Sequence, residues 1–333
     1  MGRMKICICG GGSLGHVCAG VMASQNDVEL NILSGHPGLW QKTITVTDPV
    51  GKQFKAKINR VSSKPEEVVA GQDMILLCLP GYLIEKTLRD IKPFVGQAAV
   101  GTVVSSTGFF FFAHDILGKD AKLFGFQRVP FISRVAEYGR TANLLGYKSS
   151  LAAVLENVED RESFRKDLER LFVTPVSLLT SFYEVALSNS NPILHTGRLY
   201  SMFYGRENEV FDHNILFYKE WTDEASRLLI DMDEEFFRLL DRLGVHSLPT
   251  LLDYYESTDA SSLTRKIQSI PAFQSITSPM KQMESGWVID FGSRYFTEDF
   301  PFGLRFIAEM INKEHISAPT ITTVYRWGES LIE

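Results

Sequence analysis

The stretch that most constrains this chain is MKICICGGGSLG, residues 4–15. Its first half is an apolar run of strand length, too short for a helix of ordinary size. Its second half sets Gly10, Gly12 and Gly15 in the spacing G-x-G-x-x-G, and HVCAGVMAS follows with helical spacing. Strand, glycine turn and helix in that order form a dinucleotide fingerprint. The first glycine permits the tight turn, the second lets a pyrophosphate approach the backbone, and the third allows close helix–strand packing. The helix N-terminus adds free N–H groups and a positive dipole end. Ser13 and Leu14 lie inside the same turn and are expected to bind the cofactor with the glycines.

The order of elements around this turn predicts the fold. DVELNIL reads as a second strand, PEEVVAG as a short helix, DMILLCLP as a buried strand, LIEKTLRDIKPFV as a helix and AAVGTVVSS as a further strand. Such alternation builds a parallel sheet with helices on both faces. KTITVTDPVGKQFKAKI alternates on both sides of a Pro-Val-Gly turn, which predicts a hairpin inserted near residues 43–58. After about residue 180 long amphipathic patterns take over. In residues 221–244, Leu228, Leu229, Met232, Phe236, Leu239 and Leu240 form an apolar stripe, and the carboxylates around it are expected to form a solvated face. The reading is an α/β N-terminal Rossmann-type doubly wound sheet over residues 1–180 and an all-α C-terminal domain over 181–333.

Composition removes other classes. The chain of 333 residues is 44% hydrophobic with a net charge of −6, and it has no basic block to serve nucleic acid. Its longest apolar region, AAVGTVVSSTGFFFFA, is too short to cross a bilayer, and the first residues show no signal-peptide pattern. Cys7, Cys9, Cys18 and Cys78 read as small buried thiols rather than a disulfide or metal site. A cytoplasmic protein with no metal is expected, and a homodimer is one assembly open to it.

Cofactor choice should be made at the end of the second strand, where an Asp or Glu would accept from a ribose 2′-OH. The chain has SGHPG there, with Ser34, His36 and downstream Lys42 and no carboxylate, which favours NADP over NAD. Leu79 and Pro80, in CLPGY, end the next buried strand where a dinucleotide would pass.

Hydride chemistry at a carbon bearing oxygen or nitrogen needs a proton donor, and histidine suits that role near neutral pH. Of seven histidines, His195 is singled out by SNSNPILHTGRLY, residues 188–200, a polar stretch close to the expected domain boundary. Asn191 lies four residues before it, on the same face of a helix. A second stretch, DFGSRYFTEDFPFGL, holds Arg294 and Asp299. An arginine fork binds a carboxylate, and an aspartate can fix a histidine's tautomer.

GGGSLG, PFISRVAEYG at 130–139, SNSNPILH at 188–195 and RYFTEDFPFGL at 294–304 together resemble the octopine/nopaline (opine) dehydrogenase family. The resemblance covers most of the chain. It implies reductive condensation of a 2-oxo acid such as pyruvate with the amino group of an amino acid, using NADH or NADPH. It makes His195 the residue that polarises the carbonyl or imine, Asp299 its partner, Arg294 the binder of the oxo acid carboxylate and Asn191 a neighbour of the reacting centre. No guanidinium pocket stands out, so arginine is not carried over as the amine. Trp287, Tyr295, Phe203 and Tyr204 are the aromatic candidates for an amine site. Two alternatives remain: a ketopantoate-reductase-like reductase of 2-oxo or hydroxy acids without an amine, and a dinucleotide sensor without catalysis.

Overall fold

The computed structural model describes residues 3–332. The chain divides into two compact units, Met1–Ala186 and Leu187–Glu333.

The first unit contains β1 (Met4–Cys9), β2 (Val28–Leu33), β3 (Thr43–Thr47), β4 (Gln53–Lys57), β5 (Arg60–Ser62) and β6 (Met74–Leu77). It continues with β7 (Ala99–Thr102), β8 (Leu123–Phe126), β9 (Phe131–Glu137), β10 (Thr141–Tyr147), β11 (Leu151–Glu156) and β12 (Val176–Leu178). Among the described residues, eight strands form one sheet in the order β12-β11-β8-β7-β6-β1-β2-β5. From β8 to β5 every neighbour pairs in parallel. Residues covered on both faces explain why β6 reads as an unbroken apolar run: Met74, Ile75, Leu76 and Leu77 are all buried. The chain runs outward from β1 through β2 to β5, then returns to the other side of β1 with β6. That reversal puts a topological switch point at the C-terminal end of β1, where the glycine turn lies.

The expected insertion is the antiparallel pair β3–β4, in register from Thr43↔Lys57 to Thr47↔Gln53. It belongs to a second sheet, ordered β4-β3-β10-β9, because β10 pairs in parallel with β3. The helix Ser13–Ala23 is covered on all sides, since Gly15 through Met22 are buried. Gly20 shows the close fit: a Cβ there would sit 2.1 Å from Val46 Cγ2 of β3.

The second unit is helical, with main helices Asn191–Phe203, Asp223–Arg242, Ala260–Ser269, Arg305–Lys313 and Pro319–Ile332, and one hairpin of β13 (Met280–Met283) and β14 (Gly286–Ile289). Thr222 caps the longest helix through Ala225 N–H. Leu229, Met232, Phe236, Leu239 and Leu240 are buried and Leu228 is half-buried, as the stripe predicts. The carboxylates do not all face water, which corrects the expectation of a solvated face. Glu235 is buried and accepts from the backbone N–H groups of Thr320 and Ile321, capping the last helix. Asp233 is buried and accepts from Leu251 N–H.

Candidate active site

The glycine turn has the division of labour its spacing predicts. Gly10 has φ +127°, and a Cβ on it would meet the carbonyl oxygen of Cys78 at 2.5 Å. A Cβ on Gly15 would lie 2.1 Å from Gly10 O. Gly12 differs: a Cβ there meets nothing within 4 Å. Two glycines are therefore fixed by the fold, while Gly12 faces open space at the N-cap of the helix, where a pyrophosphate would lie. Beside the turn is a cleft of about 470 Å³, whose lining includes Gly10, Ser34, His36, Leu79 and Tyr138. Ser13 Oγ accepts from Val135 N–H and Leu14 packs on the core. Pro80 is the N-cap of the helix Gly81–Ile91. These residues fit a dinucleotide.

At the far end of the cleft Ser34 Oγ accepts from His36 N–H at 3.2 Å and from Trp40 Nε1–H at 3.1 Å. Its two lone pairs are then used, so its own proton goes to Tyr138 Oη, 3.1 Å away. That leaves the Tyr138 O–H free to donate. Lys42 stands exposed just before β3, and the ammonium on the cleft is Lys86, paired with Asp90. Beneath the turn His16 is fully buried and stacks on Trp40 at 4.2 Å. Its Nδ1–H donates to Gly12 O at 3.0 Å and its Nε2 accepts from Gly139 N–H at 2.7 Å. The four cysteines are free and buried. Thiol–thiol hydrogen bonding and then burial push Cys9 and Cys78 up, so both stay protonated and inert.

In the second unit, the helix Asn191–Phe203 opens with Asn191 and Pro192, the latter in a position where its missing N–H costs nothing. Asn191 N–H is taken by Asn189 Oδ1. One turn on, His195 Nδ1 lies 2.8 Å from Asp299 Oδ2. Asp299 directly precedes a π-helical turn, Phe300–Leu304, and its carbonyl accepts from Leu304 N–H at 2.8 Å. The other ring nitrogen, Nε2, lies 2.9 Å from the hydroxyl of Tyr218. Tyr295 and Phe217 pack on the imidazole at 4.7 and 5.6 Å. A carboxylate only accepts, so Nδ1 carries the proton and Nε2 of the neutral ring accepts from Tyr218. This is a polarised, oriented imidazole with carboxylate support, the arrangement of a general acid–base.

Residues 178–332 match the sequence model of the family described as NAD/NADP octopine/nopaline dehydrogenase, alpha-helical domain. Octopine dehydrogenase from Mizuhopecten yessoensis is 25% identical, with 99% of this chain and 90% of that protein covered. Tauropine dehydrogenase from Arabella iricolor is 26% identical, with 98% and 90% covered. A solved structure of octopine dehydrogenase with NADH and L-arginine shares the fold, with a TM-score of 0.84 at 24% identity and 99% and 90% covered. The helical second unit carries the octopine/nopaline (opine) dehydrogenase domain, and the chain is similar to opine dehydrogenases along nearly its full length. The protein is accordingly an NAD(P)-dependent oxidoreductase of the opine dehydrogenase type.

Within this opine dehydrogenase fold, His195 and Asp299 are brought into direct contact across 104 residues of sequence. Arg294 is not drawn into that cluster. Its side chain is 83% exposed and makes a loose 3.8 Å pair with Glu298, while its neighbour Tyr295 faces the imidazole. Of the aromatic candidates for an amine site, Phe203 is core, Tyr204 is exposed and stacked on Tyr200, and Trp287 bridges to Phe211 through its backbone. Only Tyr295 of the four touches His195. Sequence reasoning missed Tyr218, Tyr138 and the structural use of His16. Tyr138 lay within a motif already singled out, PFISRVAEYG, whereas Tyr218 sits in LFYKEW with no local pattern to mark it.

Proposed function

We propose that this protein condenses a 2-oxo acid such as pyruvate with the amino group of an amino acid and reduces the product with NADPH or NADH. The observation that carries this reading is the His195–Asp299 pair, with its second nitrogen held ready for proton transfer. A bound nicotinamide supplies the hydride. The protein's residues manage protons and position. His195 exchanges a proton with the substrate oxygen during condensation and with the substrate nitrogen during reduction. Asp299 keeps the imidazole in one tautomer and stabilises its charged form. Arg294 presents an exposed guanidinium to the oxo acid carboxylate, and Asn191, one turn before His195, contributes to substrate binding. A structure with NADH and L-arginine in the related octopine dehydrogenase supports an amino acid as co-substrate.

For the cofactor, Gly10, Gly12, Ser13, Leu14 and Gly15 cradle the pyrophosphate, with Leu79 and Pro80 along its path. His36 and the Tyr138 O–H, which the Ser34 hydroxyl orients, meet the 2′ position. No carboxylate stands at the end of β2 to repel a 2′-phosphate, so NADPH should bind at least as well as NADH. Four unpaired buried cysteines fit a reducing compartment such as the cytoplasm.

The test is oxidation of NADPH or NADH with pyruvate and other 2-oxo acids, with and without each amino acid. Turnover should require both substrates. Equal rates with the oxo acid alone would replace this reading with a simple 2-oxo acid reductase.

A further inference from the structure

His195 has two polar side-chain partners, and the family-based reading uses only Asp299. The second, Tyr218, is held with unusual care. Its ring is stacked on Phe273 at 4.1 Å and parallel to Trp221 at 6.1 Å. Its segment is bracketed by Arg198, whose Nε donates to Phe217 O at 2.9 Å and whose Nη2 donates to Glu220 O at 2.7 Å. Arg198 is itself buried, lies over Trp221 and sits on the His195 helix one turn further on. Burial lowers its pKa to about 10, so it stays charged at neutral pH. Burying a guanidinium is expensive, and here both carbonyls it satisfies flank Tyr218.

We propose that Tyr218 is a further catalytic residue, whose hydroxyl donates to Nε2 in the resting protein and to the substrate oxygen during condensation. This rests on the reading of His195 as the acid–base group. A substrate oxygen bonded to Nε2 would come within hydrogen-bond reach of a hydroxyl 2.9 Å from that nitrogen. Rotation of the O–H about its C–O bond then moves the donated bond from nitrogen to oxygen without moving a heavy atom. As the amine nitrogen attacks the carbonyl carbon, the C=O π pair moves onto oxygen. Nε2 has taken its proton from the amino acid's ammonium group, which frees the attacking amine, and imidazolium Nε2–H and tyrosine O–H then both donate to that growing charge. The proton passes from Nε2 to the oxygen, and the tyrosine keeps its own and returns to the nitrogen lone pair. Burial, with Tyr295, Tyr255 and Asp299 nearby, pushes the phenol well above its usual value, so it remains a donor throughout.

Tyr218→Phe removes only the hydroxyl and retains the stacking, so the fold should survive. Wild type, Tyr218→Phe and His195→Ala are compared with NADPH, pyruvate and a mixture of the twenty amino acids. The expected kcat of Tyr218→Phe is about 10²-fold below wild type, the loss typical of one transition-state donor, with NADPH affinity unchanged. A kcat that is unchanged or raised overturns the proposal, since the hydroxyl would then be a packing contact or an obstruction. If His195→Ala also keeps full activity, the reading of His195 itself has failed. An activity-independent check is the ¹⁵N resonance of His195 Nε2. It should move in Tyr218→Phe, and a resonance that stays in place overturns the proposal whatever the assay shows.

Discussion

His16 and His195 are the same residue in two regions, each with both ring nitrogens engaged, yet their partners are opposite in kind. His16 is fully buried between two backbone groups, Gly12 O and Gly139 N–H. Desolvation lowers its pKa, only partly offset by the carbonyls of Gly12 and Gly11, so it stays neutral and pins the glycine turn. His195 lies between two side chains that can themselves give or accept charge, Asp299 and Tyr218. Burial alone does not make a histidine chemical or structural. Its partners do: backbone partners fix a position, and ionisable partners leave a proton free to move.

The comparison breaks most visibly in turnover. His195→Ala should lower kcat by on the order of 10²–10⁴-fold, the range for a general acid–base. Asp299→Asn should slow the reaction by less, since the ring keeps a polar neighbour without the charge that stabilises imidazolium. Cofactor affinity should be unchanged in both. A wild-type kcat in either variant, with the true substrate pair, would place that residue with His16 as structural.

Arg294 sharpens the contrast between chemistry and binding. A guanidinium that pairs with the oxo acid carboxylate acts on ground and transition state alike, so its loss appears in KM. Arg294→Lys keeps charge but loses the planar fork, and Arg294→Ala loses both. The oxo acid KM should rise in the first and further in the second, by about 10- to 150-fold for a charge-assisted contact of roughly 1.5–3 kcal/mol. If both variants keep KM and lose only thermal stability, the pair with Glu298 is its role, and Arg134 becomes the next candidate for the carboxylate site.

The two regions also differ in how far the sequence reveals them. The glycine turn is built from backbone over consecutive residues 4–15, so its spacing between a strand and a helix announces it. The inserted β3–β4 pair was legible from alternation, but its partner strands β9 and β10 were not. They join it by a parallel pairing between segments nearly a hundred residues apart. His195 and Asp299 were legible as residue types suited to the chemistry. Tyr218 was not, because packing of Phe273 and Trp221 and the Arg198 clamp place it, and none of these is a local signal. Asp233 and Glu235 failed for a related reason: helical periodicity marks a polar face, but only tertiary structure shows what covers it.

A smaller effect tests the backbone-built region. Gly12→Ala adds a methyl group where nothing lies within 4 Å, at a φ of −79° that any residue adopts. Stability should be unchanged while dinucleotide affinity falls about tenfold, because the methyl fills the approach of the pyrophosphate. Calorimetric titration with NADPH checks this, and an unchanged Kd would mean that the cofactor does not cross Gly12.

The smallest effect, and the one that isolates His16, is the pH dependence of stability. A histidine whose folded pKa lies below the unfolded value of about 6.5 binds fewer protons folded than unfolded. Its contribution is complete above about 6.5 and is lost as pH falls below that value. Asp233 has the opposite slope. Burial raises its pKa to about 6, so its contribution is complete below the unfolded carboxylate range and is lost as pH rises through about 6. The two groups offset each other between about pH 4 and 6, so wild type alone hides both. His16→Gln keeps a neutral hydrogen-bonding side chain but cannot be protonated, and its Tm should fall less than wild type between pH 7 and 5. Asp233→Asn keeps the acceptor for Leu251 N–H without the charge, and its Tm should gain on wild type as pH rises from 5 to 7. Parallel Tm–pH curves for His16→Gln and wild type would mean that His16 takes up a proton as readily folded as unfolded, which its pairing with Gly139 N–H forbids.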